Sequence, residues 1–424
     1  MEIEFRICSV PNARGSAVKL LILGQPPSPV IDVSVSVVVA LALLMGVTAF
    51  AVDSTIPAIP ATSNYFNVSM GVIQTTIGYY LLGYALGQIP VGFVSDAYGR
   101  KPVILVGMSL FVLMGVLASF STSPEMLQIC RFFQGLFGAS GAVLSRAVAR
   151  DITSGKDTAR LMSLLGSTLG GVMLMAPIVG AIAFGLVGWR GTFLLSSVFG
   201  VSALLLVVFY IPETRPHGPT VDPLKRIKPS LVAFFSTHQA RFGALLASVA
   251  FCGLMAFVTL SSEVFIVGLG LSEFHYALTY SMISVGYVMS GIICRKLVVS
   301  RTSLQVARLV TFGFLTCGFL LAVMLFSGIR NYVSLLTIFA MMLLCIGAIM
   351  AITPAIVLES LPQSAGMSAG LLGTIQLLSG ATASTVLSRI SIDALTLLLS
   401  SMLLTCVAIT LCAAVEFALK SKDS

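Results

Sequence analysis

Apolar runs dominate the chain, and they recur at a length with a simple physical explanation. From residue 35 onward twelve of them alternate with short polar turns. The first six cover about 35–58, 71–94, 103–122, 125–148, 160–184 and 191–211. The second six cover about 243–266, 275–297, 304–327, 332–357, 365–387 and 392–418. Each is close to the roughly 20 residues a helix needs to cross the hydrocarbon of a bilayer. The pattern predicts an all-α polytopic membrane protein with twelve transmembrane helices, its apolar surface facing lipid and neighbouring helices.

Composition agrees. The chain has 424 residues, of which 57% are hydrophobic and only 9% charged, against about 25% charged in a soluble domain. Its net charge of +8 does not call for nucleic acid, because the cations sit in particular turns. Of the 24 Lys and Arg, only Arg190, Arg330 and Arg389 fall in the loops of one side, and Arg131 falls within a span. The other twenty lie in the tails, the link, or the loops and adjoining span ends of the opposite side, which by the positive-inside rule predicts that both termini are cytoplasmic. Between the two sets of six runs, residues 212–242 carry Glu213, Arg215, Pro216, Asp222, Lys225, Arg226 and Lys228. That charged, proline-containing link marks a domain boundary. The expected organisation is a flexible tail over 1–34, a first bundle over 35–211, the cytoplasmic link over 212–242, a second bundle over 243–418 and a tail over 419–424. The eight cysteines include no CxxC pair and fall mostly inside apolar runs, so neither disulfides nor a metal site is expected.

One turn carries unusual chemistry: Gly92-Phe-Val-Ser-Asp96-Ala-Tyr-Gly99-Arg100-Lys101-Pro102. Gly92 is expected to let a neighbouring helix approach closely, and Gly99 to supply a backbone conformation other residues reach only with strain. Arg100 and Lys101 favour the cytoplasmic side. Asp96 either pairs with Arg100 four residues on or sits at a helix N-terminus, where negative charge is favoured. The stretch resembles the G-x-x-x-D-x-x-G-R-[KR] loop between the second and third helices of major facilitator superfamily transporters.

Other stretches sharpen the resemblance. Asp53-Ser-Thr-Ile-Pro57-Ala-Ile-Pro60 is similar to the end of the first span in the drug:proton antiporter branch, and Arg131-Phe-Phe-Gln134-Gly135 with Arg150-Asp151 to the signature of the fourth. Ala176-Pro177-Ile-Val-Gly180 keeps part of the antiporter motif of the fifth span. Trp189-Arg190 and Pro212-Glu213-Thr214 fit on either side of the sixth, and Ser364 to Gln376 resembles the eleventh span of the bacterial Bcr/CflA drug-resistance group. The resemblance implies two pseudo-symmetric six-helix bundles. It also has departures: Met45 stands where some drug exporters carry a second carboxylate, Arg295 where the second-half counterpart of the charged turn has aspartate, and Ser262-Glu263 where relatives often have Ser-Pro.

No catalytic constellation is present. His217, His238 and His275 lie in the link or a loop, and there is no H-E-x-x-H or phosphate-cradling P-loop. An enzyme is not expected, nor a cofactor, nor ATP as energy source. The ionisable residues within the spans are functional candidates, because charge in hydrocarbon is costly. These are Asp53, Arg131 and Glu263. At about 1.5 Å per residue, Asp53 and Arg131 both fall roughly 8–10 Å inside the outer face, where the resemblance implies a proton-coupling pair. Glu125 and Glu416, at span ends, are expected to be solvated. Gly92, Asp96, Gly99, Arg100, Lys101 and Asp151 are the expected inner gate. Tyr80, Tyr84, Phe132, Gln134, Glu263 and Gln376 are candidate substrate contacts. The resulting expectation is a monomeric, proton-coupled antiporter exporting amphipathic small molecules across a bacterial inner membrane. The alternatives are a carrier of one metabolite or siderophore and, from another class, a non-transporting receptor or scaffold.

Overall fold

The computed structural model describes residues 34–215, 223–298, 300–361 and 365–420. Residues 1–33 and 421–424 of the expected tails, and residues 216–222 of the link, lie outside that range. The first half comprises α1 (Val35–Asp53), α2 (Ile59–Phe66), α3 (Met70–Tyr98), α4 (Arg100–Ser119), α5 (Pro124–Ile152), α6 (Gly155–Val187) and α7 (Trp189–Tyr210). Then follow α8 (Pro223–Ser236), α9 (His238–Ser262), α10 (Glu273–Val298), α11 (Ser303–Ser327), α12 (Tyr332–Ser360), α13 (Ala365–Leu387) and α14 (Ala394–Lys420). A 3-10 turn, Ile56–Ala58, joins α1 to α2, and a π-helical segment, Glu263–Gly268, prolongs α9.

The break after α1 follows from its prolines. Pro57 has no N–H to give the carbonyl of Asp53, and Pro60 none for that of Ile56. The ladder therefore stops at Asp53, turns, and resumes until Asn67 ends it in the left-handed region at φ 54°. The first span is thus longer than its apolar pattern suggests. Asp53 lies thirteen residues before its end at Phe66, deeper than the five residues expected from the sequence.

Among the described residues eleven helices are long and apolar enough to cross a membrane. The long helix outside that set is α5, which carries Glu125, Arg131, Arg146, Arg150 and Asp151 along its 29 residues. Its polar residues do not need lipid, because α1, α3 and α4 pack around it. Backbones come close there: a Cβ on Gly83 would land on the carbonyl oxygen of Phe132, and one on Gly135 on that of Tyr80. Such small-residue contacts are how helices dock in a bilayer, where no hydrophobic effect separates them from lipid.

The helices before the link pack mainly on one another, as do those after it. Two antiparallel pairs join the sets, α3 on α13 and α6 on α10. Ser281 Oγ donates to the carbonyl of Leu174 at 2.7 Å across the second pair. The link itself is a correction to the sequence reading, which expects only a charged connection. Within it α8 buries Phe234 against Ala240, Ala244, Ala247, Val357, Leu371 and Leu372.

Candidate functional site

At the end of the bundle where α3 meets α4, the charged turn is assembled from three distant segments. Gly99 takes φ 104°, a region that favours glycine, and stops α3 while starting α4. Arg100 reaches back to Asp96 and Ser95 on α3, and its Nε donates to Asp151 Oδ2 on α5 at 3.1 Å. The Arg100 side chain is 12% exposed and that of Asp151 14%, so this bridge is screened less than a surface pair. Gly92 corrects the sequence reading: a Cβ there would meet nothing within 4 Å, so no helix approaches it.

Glu213, in the link, is the residue the sequence reading left without a role. Its carboxylate accepts from the backbone N–H of Arg100 (2.8 Å), Lys101 (3.1 Å) and Arg215 (2.9 Å). It therefore caps α4 in trans, satisfying the first two orphan donors where the helix dipole is positive, and Pro102 has no third to satisfy. Lys101 Nζ donates to the carbonyl of Val208, and Arg215 to that of Ala97, tying the same turn to α7 and the link. Burial opposes the charge of Glu213. The N–H groups of Arg100, Arg215, Lys101 and Thr214 outweigh it and hold the carboxyl below the usual glutamate range. A carboxyl lowered by folding stabilises above its ordinary range and is lost as pH falls through the lowered value. Glu213→Gln is expected to speed amide hydrogen exchange at Arg100 and Lys101 at neutral pH. In the unaltered protein the same acceleration, corrected for intrinsic rate, is expected only below about pH 4.3. Unchanged exchange in the variant would remove the cap from this account.

Deeper in the bundle, Asp53 is 5% exposed and accepts a hydrogen bond from Tyr280 Oη of α10 at 3.3 Å. Arg131 is 1% exposed, and the two do not form an ion pair. Instead Arg131 lies 4.3 Å over the ring of Tyr80, with Phe193 at 5.7 Å, and donates to Gln134 Oε1 at 2.8 Å. Gln134 in turn donates to Ser196 at 3.3 Å. Nε and Nη2 of Arg131 have no hydrogen-bond partner, nor does Tyr80 Oη. Two of the candidate substrate contacts, Tyr80 and Gln134, are thus occupied in packing Arg131 inside the first half.

The other candidates are scattered. Glu263 accepts from Gln74 Nε2 at 2.8 Å, a further polar bridge between the halves, with Gln74 itself 1% exposed. It opens the π-helical segment, a feature frequent at functional sites. Gln376 points its amide at Met350 Sδ, 3.1 Å away. Tyr84 and Phe132 are half-buried, and Phe132 meets Phe133 edge-on. Glu416, expected in solvent, is 2% exposed and lies 3.3 Å from His238 Nδ1.

Asp53–Tyr280 and Gln74–Glu263 both join the halves away from the charged turn. Close backbone contacts join them there as well, since a Cβ on Gly71 would strike the carbonyl of Ser388. Glycine could not be replaced there without prising α3 from α13. This end is closed.

Comparison with known proteins agrees with this architecture. The chain is 28% identical over 371 residues to a bicyclomycin resistance protein homolog of Haemophilus influenzae, covering 84% of this chain and 89% of that one. It is 27% identical over 347 residues to multidrug resistance protein D of Escherichia coli, covering 81% and 86%. Among solved structures, a D-xylose-proton symporter superposes with a TM-score of 0.70 at 16% identity, covering 90% of this chain and 97% of the other. The sequence model of the Major Facilitator Superfamily matches residues 41–384. That stretch takes in most of both halves and the whole link, so this multi-pass membrane protein belongs to the Major Facilitator Superfamily.

Proposed function

We propose that the protein is a proton-coupled exporter of amphipathic small molecules, working as an antiporter in a bacterial inner membrane with the charged turn on the cytoplasmic side. The observation that carries this reading is Asp53, an acid deep in a span that accepts from a neutral hydroxyl of the opposite half. A charged carboxylate there is costly, and a neutral one far less so. Closure of the outer end therefore favours a proton on Asp53, and opening it lets water and protons return.

Arg131 offers the complementary site. It lies on α5, which packs on α1, and its unpartnered Nε and Nη2 groups would be satisfied by an ionised carboxylate. Asp53 thus exchanges a cross-half bond to Tyr280, made when neutral, for a cation of its own half when ionised. Substrate competes for one of these arrangements, and the proton gradient drives exchange without ATP. At the inner side Arg100, Asp96 and Asp151 form a gate between α3, α4 and α5, fixed in place by Glu213. The names of the two relatives, which refer to bicyclomycin and multidrug resistance, support drugs as the substrate class. A scaffold or receptor would have no use for a buried acid shared between the halves. Flux of a panel of amphipathic dyes and antibiotics in inside-out vesicles, with and without an imposed pH gradient, tests the reading. Gradient-dependent accumulation is expected, and its absence across the panel sinks the export proposal.

A further inference from the structure

At the basic end, the start of α11 forms an open pocket of about 470 Å³ lined by Ser300, Arg301, Gln305, Arg308, Leu309 and Phe312. We propose that this pocket holds the phosphodiester of an anionic phospholipid from the adjacent leaflet. Arg301 stands just before the helix and Arg308 five residues into it, a difference in depth of about 8 Å from the helix start. Two guanidinium groups therefore line the pocket across the zone where phosphate and glycerol lie. Guanidinium matches phosphate oxygens in geometry and charge, and basic pockets at the cytoplasmic boundary of a span are suited to lipid headgroups.

The lining changes character in the order a phospholipid does. Above are Ser300, Arg301, Gln305 and Arg308; below, Leu309 is 43% and Phe312 67% exposed on a helix that spans the membrane. Acyl chains cover that apolar part, which a free phosphate would leave bare. Glu359 of α12 meets this end of α11 through Ser303 Oγ at 3.2 Å and does not line the pocket. On α10 the neighbouring charges at this end are Arg295 and Lys296.

Native mass spectrometry of the full-length protein tests this, after exchange into detergent with phosphatidylglycerol, phosphatidylcholine or inorganic phosphate. Phosphatidylglycerol is expected to be retained at least tenfold more tightly than phosphatidylcholine and not displaced by millimolar phosphate. The double variant Arg301→Gln/Arg308→Gln should lose that preference, and Arg301→Lys/Arg308→Lys should keep part of it. Arg330→Gln, at the opposite end beside Asp393, should leave it intact. A gel-filtration profile and melting temperature matching the parent confirm that each variant is folded. Equal retention in the double Gln variant, no preference over phosphatidylcholine, or displacement by inorganic phosphate would each overturn the lipid site. If the double Gln variant misfolds, the Lys variant still decides, because full loss of preference there contradicts a charge-led site. The test uses no transport assay, so its outcome is independent of the proposed export function.

Discussion

Asp53→Asn is expected to reduce gradient-driven transport to the uncoupled baseline while changing substrate affinity by less than about tenfold, or 1.4 kcal/mol. Asparagine keeps the size of the side chain and an oxygen that accepts from Tyr280, so the contacts between the halves at this end and their packing survive. What it loses is titration. The carboxylate is buried, 5% exposed, with a tyrosine hydroxyl rather than a cation as its bonded neighbour. In the proposed coupling its proton is the variable that closure and opening act upon, and an amide fixed in the neutral form removes that variable. Downhill exchange and binding need no such variable. Vesicle accumulation with and without a pH gradient, read beside equilibrium binding of the same dye, separates the two. Accumulation against a gradient in the Asn variant would move the proton site elsewhere, with Glu263 next in line through its bridge to Gln74.

The second large effect concerns glycines that look alike in sequence. Gly135→Ala is expected to destabilise by about 1–3 kcal/mol, seen as a lowered melting temperature in detergent and reduced yield. Alanine gains up to about 1 kcal/mol over glycine in a helix interior, so the two effects oppose each other. At Gly135 the new methyl strikes the carbonyl of Tyr80, which is backbone and cannot turn aside. The clash wins, and it separates the two helices that place the Tyr80 ring over Arg131. At Gly92, by contrast, the methyl meets open space, so Gly92→Ala should be neutral or slightly stabilising. A Gly135→Ala melting temperature equal to the parent would show that α3 and α5 have room to part.

What could be read from the sequence follows from what is local. Span lengths are set by the bilayer, so the number and order of long helices were legible as apolar runs. The Arg100 turn was legible because Asp96, Gly99 and Arg100 lie within five residues and act through the backbone they share. Two of the contacts made by folding were not. Glu213 reaches Arg100 across 113 residues, and Gln74 reaches Glu263 across 189, with no local signal in either. Asp53 and Arg131 are both deep in their helices, as their residue types suggested. Depth along an axis says nothing about direction around it, and that is why Asp53 faces Tyr280 while Arg131 faces Tyr80. Gly92 failed for the same reason: a glycine permits close approach but does not determine which side of the helix a neighbour occupies.

The polarity of α5 bears on how the chain is made. An arginine at the centre of an isolated helix opposes entry into the bilayer by about 2.5–3.5 kcal/mol on insertion scales, and α5 carries further charges near its other end. Its neighbours α1, α3 and α4 all precede it in the chain. They emerge from the ribosome first and can present the Tyr80 ring and the glycine grooves before Arg131 arrives. Membrane entry of α5 is then a docking event onto helices already inserted, rather than a partition between water and lipid. Reversing that order, by a circular permutation that starts the chain at α5, would present the arginine to bare hydrocarbon.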